Sequence, residues 1–319
     1  MPEPDPFPWA DAELKARLTK DPVAALKEHG VNVPNTLPPE VIQDVVRMVW
    51  LMWVDGKVVP REKFYIDPND EGLLFGKGVW ESTRTVDGEP WLWELHVERL
   101  LKTAKLVGID LDPARVPDKY QVADYVRGLT AADVVIRLNV TAGRTGKPGL
   151  VWMTAALRPY PSASMKLQTV RNPVPKDQPY LMWKTFQYAT RLRTNQAAWK
   201  AGFDSALLVD DDDNLLEASH ANLFLRLPDG WVTPAADGGL LPGTVREHVL
   251  RHCPLPMREQ VIPKALLAKV SEAFLTNSNL GLVPLAQIDS LTFPIGSETQ
   301  AIHRWLTPDL ATGKPVRHV

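Results

Sequence analysis

The chain has 319 residues, 45% hydrophobic and 23% charged, with a formal net charge of −2. That is ordinary globular composition. It gives no electrostatic case for nucleic acid or an anionic membrane as a partner. The single cysteine, Cys253, excludes an intrachain disulfide and fits a reducing cytoplasm, while the longest apolar run, 48–54, is far short of a membrane span.

The length exceeds what one core usually supports, so two domains are expected. Residues 1–10 are proline-rich and acidic, a flexible end without the marks of a signal peptide. Leu14, Leu18, Val23 and Leu26 among charges predict an amphipathic helix or helix pair over 11–28, stopped by Gly30 and Pro34. A short helix after Pro38 would carry Val41, Ile42, Val45 and Val46 on one side. Residues 1–46 thus read as a helical arm on the main body. At Val49 the composition turns strand-like, and Asp55-Gly56 between apolar runs predicts a hairpin. A second hairpin is expected around Asp87-Gly88, then a helix over 96–107 and strands over 134–141 and 151–155.

Turn formers over 157–164 mark a boundary, giving a small domain over 47–158 and a larger one over 159–319. The second half alternates short strands (167–170, 206–209, 222–225, 231–232, 273–276) with helices near 191–201, 244–252 and 264–269. The fold class is mixed α/β, with mostly antiparallel sheet in the first domain. The tryptophans Trp50, Trp53, Trp80, Trp91 and Trp93 are expected mostly in that domain's core.

Three features could carry chemistry. Lys184 lies among Leu181, Met182, Trp183 and Phe186, where desolvation would disfavour its ammonium and suit it to Schiff-base and general-base work. The alternative is a lysine that snorkels to water. Glu217 follows an acidic turn and is expected at a strand start; facing a pyridine nitrogen, it would keep that nitrogen protonated, and otherwise it reads as a solvated loop acid. Asp210, Asp212, Asn214 and Glu217 hint at a calcium loop, but the central glycine is missing and Ala221 takes the twelfth position, so no metal is expected. Thr244 to Glu247 has a capping-box pattern, which would open a helix able to bind phosphate. A lysine, a carboxylate and an anion-binding helix start are what holding pyridoxal 5′-phosphate (PLP) requires.

The order of Lys184, Glu217 and Leu241-Pro242-Gly243-Thr244-Val245 resembles the fold-type IV PLP enzymes: branched-chain aminotransferases, D-amino-acid aminotransferases and aminodeoxychorismate lyases. The resemblance runs from Val49 to Leu291. It includes Gly76-Lys77-Gly78-Val79-Trp80-Glu81-Ser82-Thr83-Arg84, His96-Val97-Glu98-Arg99-Leu100 and Phe274-Leu275-Thr276-Asn277-Ser278. It implies that Lys184 forms the internal aldimine and shuttles the α-proton, and that Glu217 pairs with the pyridine nitrogen. It also implies that Arg99 binds the phosphate with the N–H groups of Thr244 and Val245 and the hydroxyl of Ser278. Tyr188 would sit beside the cofactor's hydroxyl, one residue nearer the lysine than is usual. Val245 stands where the family usually has a threonine. A homodimer is implied as well, because such enzymes complete each site with a loop of the neighbouring subunit.

The reaction is read less directly. Arg137 aligns with the Tyr-Ile-Arg of the branched-chain enzymes and would bind a substrate carboxylate; an outward strand arginine is the alternative. The Thr-Arg-Gly of D-amino-acid enzymes is Thr141-Ala142-Gly143 here, with Arg144 as a possible substitute. The segment around Asn277-Ser278-Asn279-Leu280 is more like the lyases. Amino transfer between a small amino acid and a 2-oxo acid is the first reading, and 4-amino-4-deoxychorismate lysis the second. Leu14 to Pro34 also resembles the leader segment related to the nitrile hydratase alpha subunit, which admits a third reading: a leader-bearing binding or peptide-maturation protein with a vestigial PLP site.

Overall fold

The computed structural model describes residues 7–34, 36–158, 163–174, 178–237 and 239–307, and the elements below are those of the described residues. The first six residues of the expected flexible end, residues 159–162 of the expected boundary, and Gly238 lie outside them. The chain divides into two compact units. One comprises residues 7–97 and 104–158, and the other residues 98–103 and 163–307.

The first unit opens with the predicted helix pair, α1 (Ala12–Lys20) and α2 (Pro22–Glu28), followed by α3 (Pro39–Trp50). Asp11 caps α1 by accepting the Leu14 N–H at 2.8 Å, and Asp21 caps α2 at Ala24. Leu18 and Leu26 bury against Ile42, Val46 and Trp50. The strand expected from Val49 starts two residues later, because Ile42, Val46 and Trp50 recur at helical i+4 spacing and their burial overrides the local strand preference.

β1 (Leu51–Val54) turns through Asp55 and Gly56, both at positive φ, into β2 (Lys57–Pro60). That is the hairpin geometry which Asp-Gly favours. There follow α4 (Glu71–Phe75), β3 (Gly78–Val86), β4 (Glu89–Pro90), α5 (Trp93–Leu106), whose residues 98–103 belong to the second unit, and α6 (Lys119–Leu129). β5 (Val134–Thr141), the small hairpin β6 (Gly143–Arg144) and β7 (Lys147–Pro148), and β8 (Val151–Leu157) complete the unit. The sheet order is β2-β1-β8-β5-β3-β4, antiparallel throughout, as expected. In the central β5, Ile136 and Leu138 are buried while Arg137 on the opposite face is exposed. Trp50, Trp53, Trp80 and Trp93 are buried.

The second unit holds β9 (Met165–Arg171), α7 (Ala189–Lys200), β10 (Ser205–Val209), β11 (Leu215–Ala218), β12 (Asn222–Leu227) and β13 (Gly230–Pro234). It continues with α8 (Thr244–His252), β14 (Met257–Gln260), β15 (Glu272–Asn277), β16 (Gly281–Ile288), β17 (Leu291–Thr292) and α9 (Ser297–Leu306). The helix expected over 264–269 is a 3-10 helix. The strand order is β11-β10-β9-β16-β15-β12-β13-β14, with β17 beside β16. Both neighbours of β9 run parallel to it, and β13 runs parallel to β14. Leu167, Leu207, Leu223, Leu225, Leu275 and Leu285 form the heart of the core. β11 ends at Ala218 and β12 begins at Asn222, the two joined by a corner bridged from Ala218 to Ala221, and every residue of β11 is buried. No helix among the described residues is long and apolar enough to cross a membrane.

Candidate functional site

The site is built around the β11–β12 corner. Glu217 is the third residue of β11 rather than a strand start, because Leu215 already pairs with Val209 and packs into the core. Its carboxylate is only 3% exposed. Oε1 accepts the Leu241 N–H at 3.0 Å and faces Nη2 of Arg191 at 2.6 Å. Oε2 accepts Nδ2 of Asn222, the first residue of β12, at 3.1 Å. Asn222 Nδ2 also reaches the Leu241 carbonyl at 2.9 Å, so one amide ties the carboxylate to the loop entering α8. Such a cluster explains how a carboxylate can be buried without being orphaned.

Lys184 is half-buried in the link between a 3-10 turn (Pro179–Met182) and α7. α7 begins directly after Tyr188, so Arg191 falls in its first turn. Arg191 also donates to the Leu181 carbonyl at 3.2 Å, joining the lysine segment to Glu217. Burial works against its charge, but Glu217 and Tyr188 outweigh burial and hold it above the usual arginine value.

Tyr188 Oη donates to the Ser219 carbonyl at 3.2 Å and lies 3.0 Å from Nδ1 of His220. The two rings stack at 5.7 Å. A phenol has one proton, so both contacts hold at once when it donates to Ser219 and accepts from Nδ1–H of His220. The Tyr188 hydroxyl is then left with acceptor capacity alone. Although His220 is solvent-accessible, desolvation and the charges of Lys184 and Arg191 lower its pKa to about 4, so the ring is neutral at pH 7.

The second cluster lies at the start of α8. The expected Thr244–Glu247 capping box does not form. Gly243 is the cap residue, so Thr244 is already inside the helix and its hydroxyl meets that of Ser278 at 3.1 Å, while Glu247 pairs with Arg251. Gly243 is required by a close approach: a Cβ there would stand 2.0 Å from Oδ1 of Asn222. No side chain caps α8, which leaves its first turn open to an external anion. Nη1 of Arg99 donates to the Pro242 carbonyl at 2.9 Å, placing a cation at the same helix entry. Val245, whose side chain is buried, supplies backbone here and no hydroxyl.

Lys184, Tyr188, Glu217, Arg99, Thr244, Val245 and Ser278 therefore all lie in the second unit. The other two arginines singled out by sequence are in the first. Arg137 packs over Trp80 at 3.8 Å and reaches Asn139 at 2.9 Å. Arg144 is exposed and pairs with Asp67 at 3.0 Å. The acidic turn closes on itself: Asp210 accepts the N–H groups of Asp212 and Asn214. Arg191, Asn222 and His220 carry no motif of their own. Their spacing was the available signal, since Asn222 and His220 follow Glu217 on one tight turn and Arg191 opens the helix after Lys184.

The family model described as amino-transferase class IV matches residues 78–288. A putative branched-chain-amino-acid aminotransferase from Methanocaldococcus jannaschii is 26% identical over 254 residues, covering 75% of this chain and 88% of that protein. Among solved structures, 4-amino-4-deoxychorismate lyase from Pseudomonas aeruginosa is 26% identical with a TM-score of 0.69, covering 82% of this chain and all of that one. A branched-chain aminotransferase from Thermoproteus uzoniensis superposes with a TM-score of 0.73 at 22% identity, over 83% and 96% of the two chains. The fold is that of the fold-type IV enzymes. The chain belongs to the class IV aminotransferase family, whose members use pyridoxal 5′-phosphate.

Proposed function

We propose that this protein is an aminotransferase that moves an amino group between a small amino acid and a 2-oxo acid, with Lys184 as its reactive amine. The observation that carries the reading is the buried Glu217 cluster, joined through Asn222 and Leu241 to an uncapped helix start that holds Arg99. These donors fit pyridoxal phosphate. The first turn of α8, Arg99, Thr244 and Ser278 suit its phosphate, and one acceptor position on Glu217 Oε2 suits its ring nitrogen. When bound, the cofactor supplies an electron sink for negative charge at the substrate's α-carbon. The chain's residues do the rest. Lys184 takes and returns the α-proton, Tyr188 and His220 line the approach to it, and Glu217 keeps an acceptor turned toward the ring nitrogen. Arg137 and Arg144 are proposed as carboxylate-binding groups for the substrate.

A second reading is 4-amino-4-deoxychorismate lysis, favoured by the 26% identity to the Pseudomonas lyase across its whole chain. One experiment separates the two. The bound cofactor's spectrum is followed while amino acids are added, and then a 2-oxo acid. A change reversed by the 2-oxo acid supports amino transfer. Release of pyruvate and p-aminobenzoate from aminodeoxychorismate supports lysis. A Lys184→Ala protein with an unaltered spectrum and turnover would sink both.

The protein is further proposed to work as a cytoplasmic homodimer. Support comes from α4, where Leu73, Leu74 and Phe75 are all exposed, Phe75 at 69%. Sedimentation returning a monomer at micromolar concentration would contradict this.

A further inference from the structure

An ionised carboxylate offers about four acceptor positions. On Glu217, Oε1 is filled by Arg191 and the Leu241 N–H, and Oε2 is half-filled by Asn222. Two of these donors, the backbone N–H and the amide, suffice to orient the group. Arg191 adds something they lack, which is a positive charge 2.6 Å away in a largely buried pair. Such a pair is a poor device for stability alone, since well-packed apolar residues of the same volume often do as well or better. Arg191 also holds the carbonyl of Leu181, three residues before Lys184, so a single guanidinium spans the lysine segment and the carboxylate strand.

We propose that Arg191 is a positioning residue: its guanidinium supplies the counter-charge on Oε1 of Glu217, so that one Oε2 lone pair is left turned to meet the ring nitrogen of pyridoxal phosphate. This rests on the reading that the site takes that cofactor. Without the guanidinium, this deeply buried carboxylate would lose its counter-charge. Arg191 stays cationic beside Glu217 in spite of burial, so the counter-charge is in place before the cofactor arrives.

The test measures cofactor affinity and spectrum rather than turnover. Apo protein is titrated with pyridoxal phosphate, following absorbance, for wild type, Arg191→Gln, Arg191→Lys, Glu217→Gln and the Arg191→Gln/Glu217→Gln double variant. Arg191→Gln is expected to weaken binding by about tenfold or more and to move the absorbance band of the bound cofactor. Arg191→Lys keeps the charge and should stay within about threefold of wild type with an unmoved band. In the Glu217→Gln background, Arg191→Gln should cost less than about twofold, because its effect runs through the carboxylate. Equal losses in both backgrounds, or unchanged affinity in Arg191→Gln, would overturn the proposal. Should Arg191→Gln fail to fold, the lysine and double variants decide: a lysine variant that loses affinity as far as Glu217→Gln does overturns it. Failure of wild type to bind the cofactor is a different result, which sinks the functional reading beneath.

Discussion

Two arginine–carboxylate pairs of similar length sit in different halves of this protein. Arg191–Glu217 spans 2.6 Å with side chains 14% and 3% exposed, whereas Arg144–Asp67 spans 3.0 Å with side chains 49% and 21% exposed. In both, an arginine faces a carboxylate; Asp67 is held below its usual range by the Asn69 N–H and by Arg144. The chemistry is the same and the surroundings are not. In water, the open pair is screened and competes with hydration. The closed pair has little water to fall back on, so either partner alone would be stranded. Exposure, more than pair length, separates a surface decoration from an element of the site.

The largest expected effect tests that contrast directly. Glu217→Ala leaves the Arg191 guanidinium buried without its partner and should cost about 3–5 kcal/mol in urea unfolding. Arg144→Ala should leave the unfolding midpoint unmoved within error. Similar midpoints for the two variants would remove the contrast.

A smaller effect is expected at Gly243. The Cβ of Gly243→Ala would meet Oδ1 of Asn222 at 2.0 Å, so Asn222 must shift and loosen its hold on Glu217 and Leu241. The expected loss is about 1–3 kcal/mol, with weaker cofactor binding in the same titration. An alanine variant as stable as wild type would mean that the corner yields easily, against the tight packing inferred for it.

The smallest effect concerns acid. His220 titrates near 4 in the fold and 6.5 in the unfolded chain. Between those values the unfolded chain binds the extra proton, so stability falls as pH drops from about 6.5 to about 4, levels off below, and is fully present above. Because the ring is accessible, the slope should be shallow. The difference in melting temperature between wild type and His220→Gln, followed from pH 7 to 4, should narrow as pH falls. A constant difference would show that Lys184 and Arg191 do not act on the ring as their proximity suggests.

Much of the local structure could be read from residue order. β5 (Val134–Thr141) and α8 (Thr244–His252) fall where periodicity puts them, and Asp55-Gly56 makes its hairpin. Each rests on a repeat or turn preference that acts within a few residues. α6 and α9 had no predicted counterpart, although α6 carries a reciprocal Asp118–Gln121 cap and the buried Val122, Val126 and Leu129. The capping box predicted at Thr244 failed for a physical reason. Asn222, twenty-odd residues upstream, occupies the space beside the helix entry, which makes glycine the cap and turns the Thr244 hydroxyl to Ser278. A local pattern cannot register a neighbour brought in by another strand.

The sequence by itself determined the family, the cofactor and the order of Lys184, Glu217 and the Thr244 helix start, because family membership is written in motifs that survive low identity. Only the tertiary structure decided what surrounds those residues. Arg191 at Glu217, Asn222 spanning two segments, and His220 against Tyr188 are contacts between different turns and strands. Charge state, burial and hydrogen-bond capacity depend on such neighbours, and they exist only once β11, β12 and α7 have packed together.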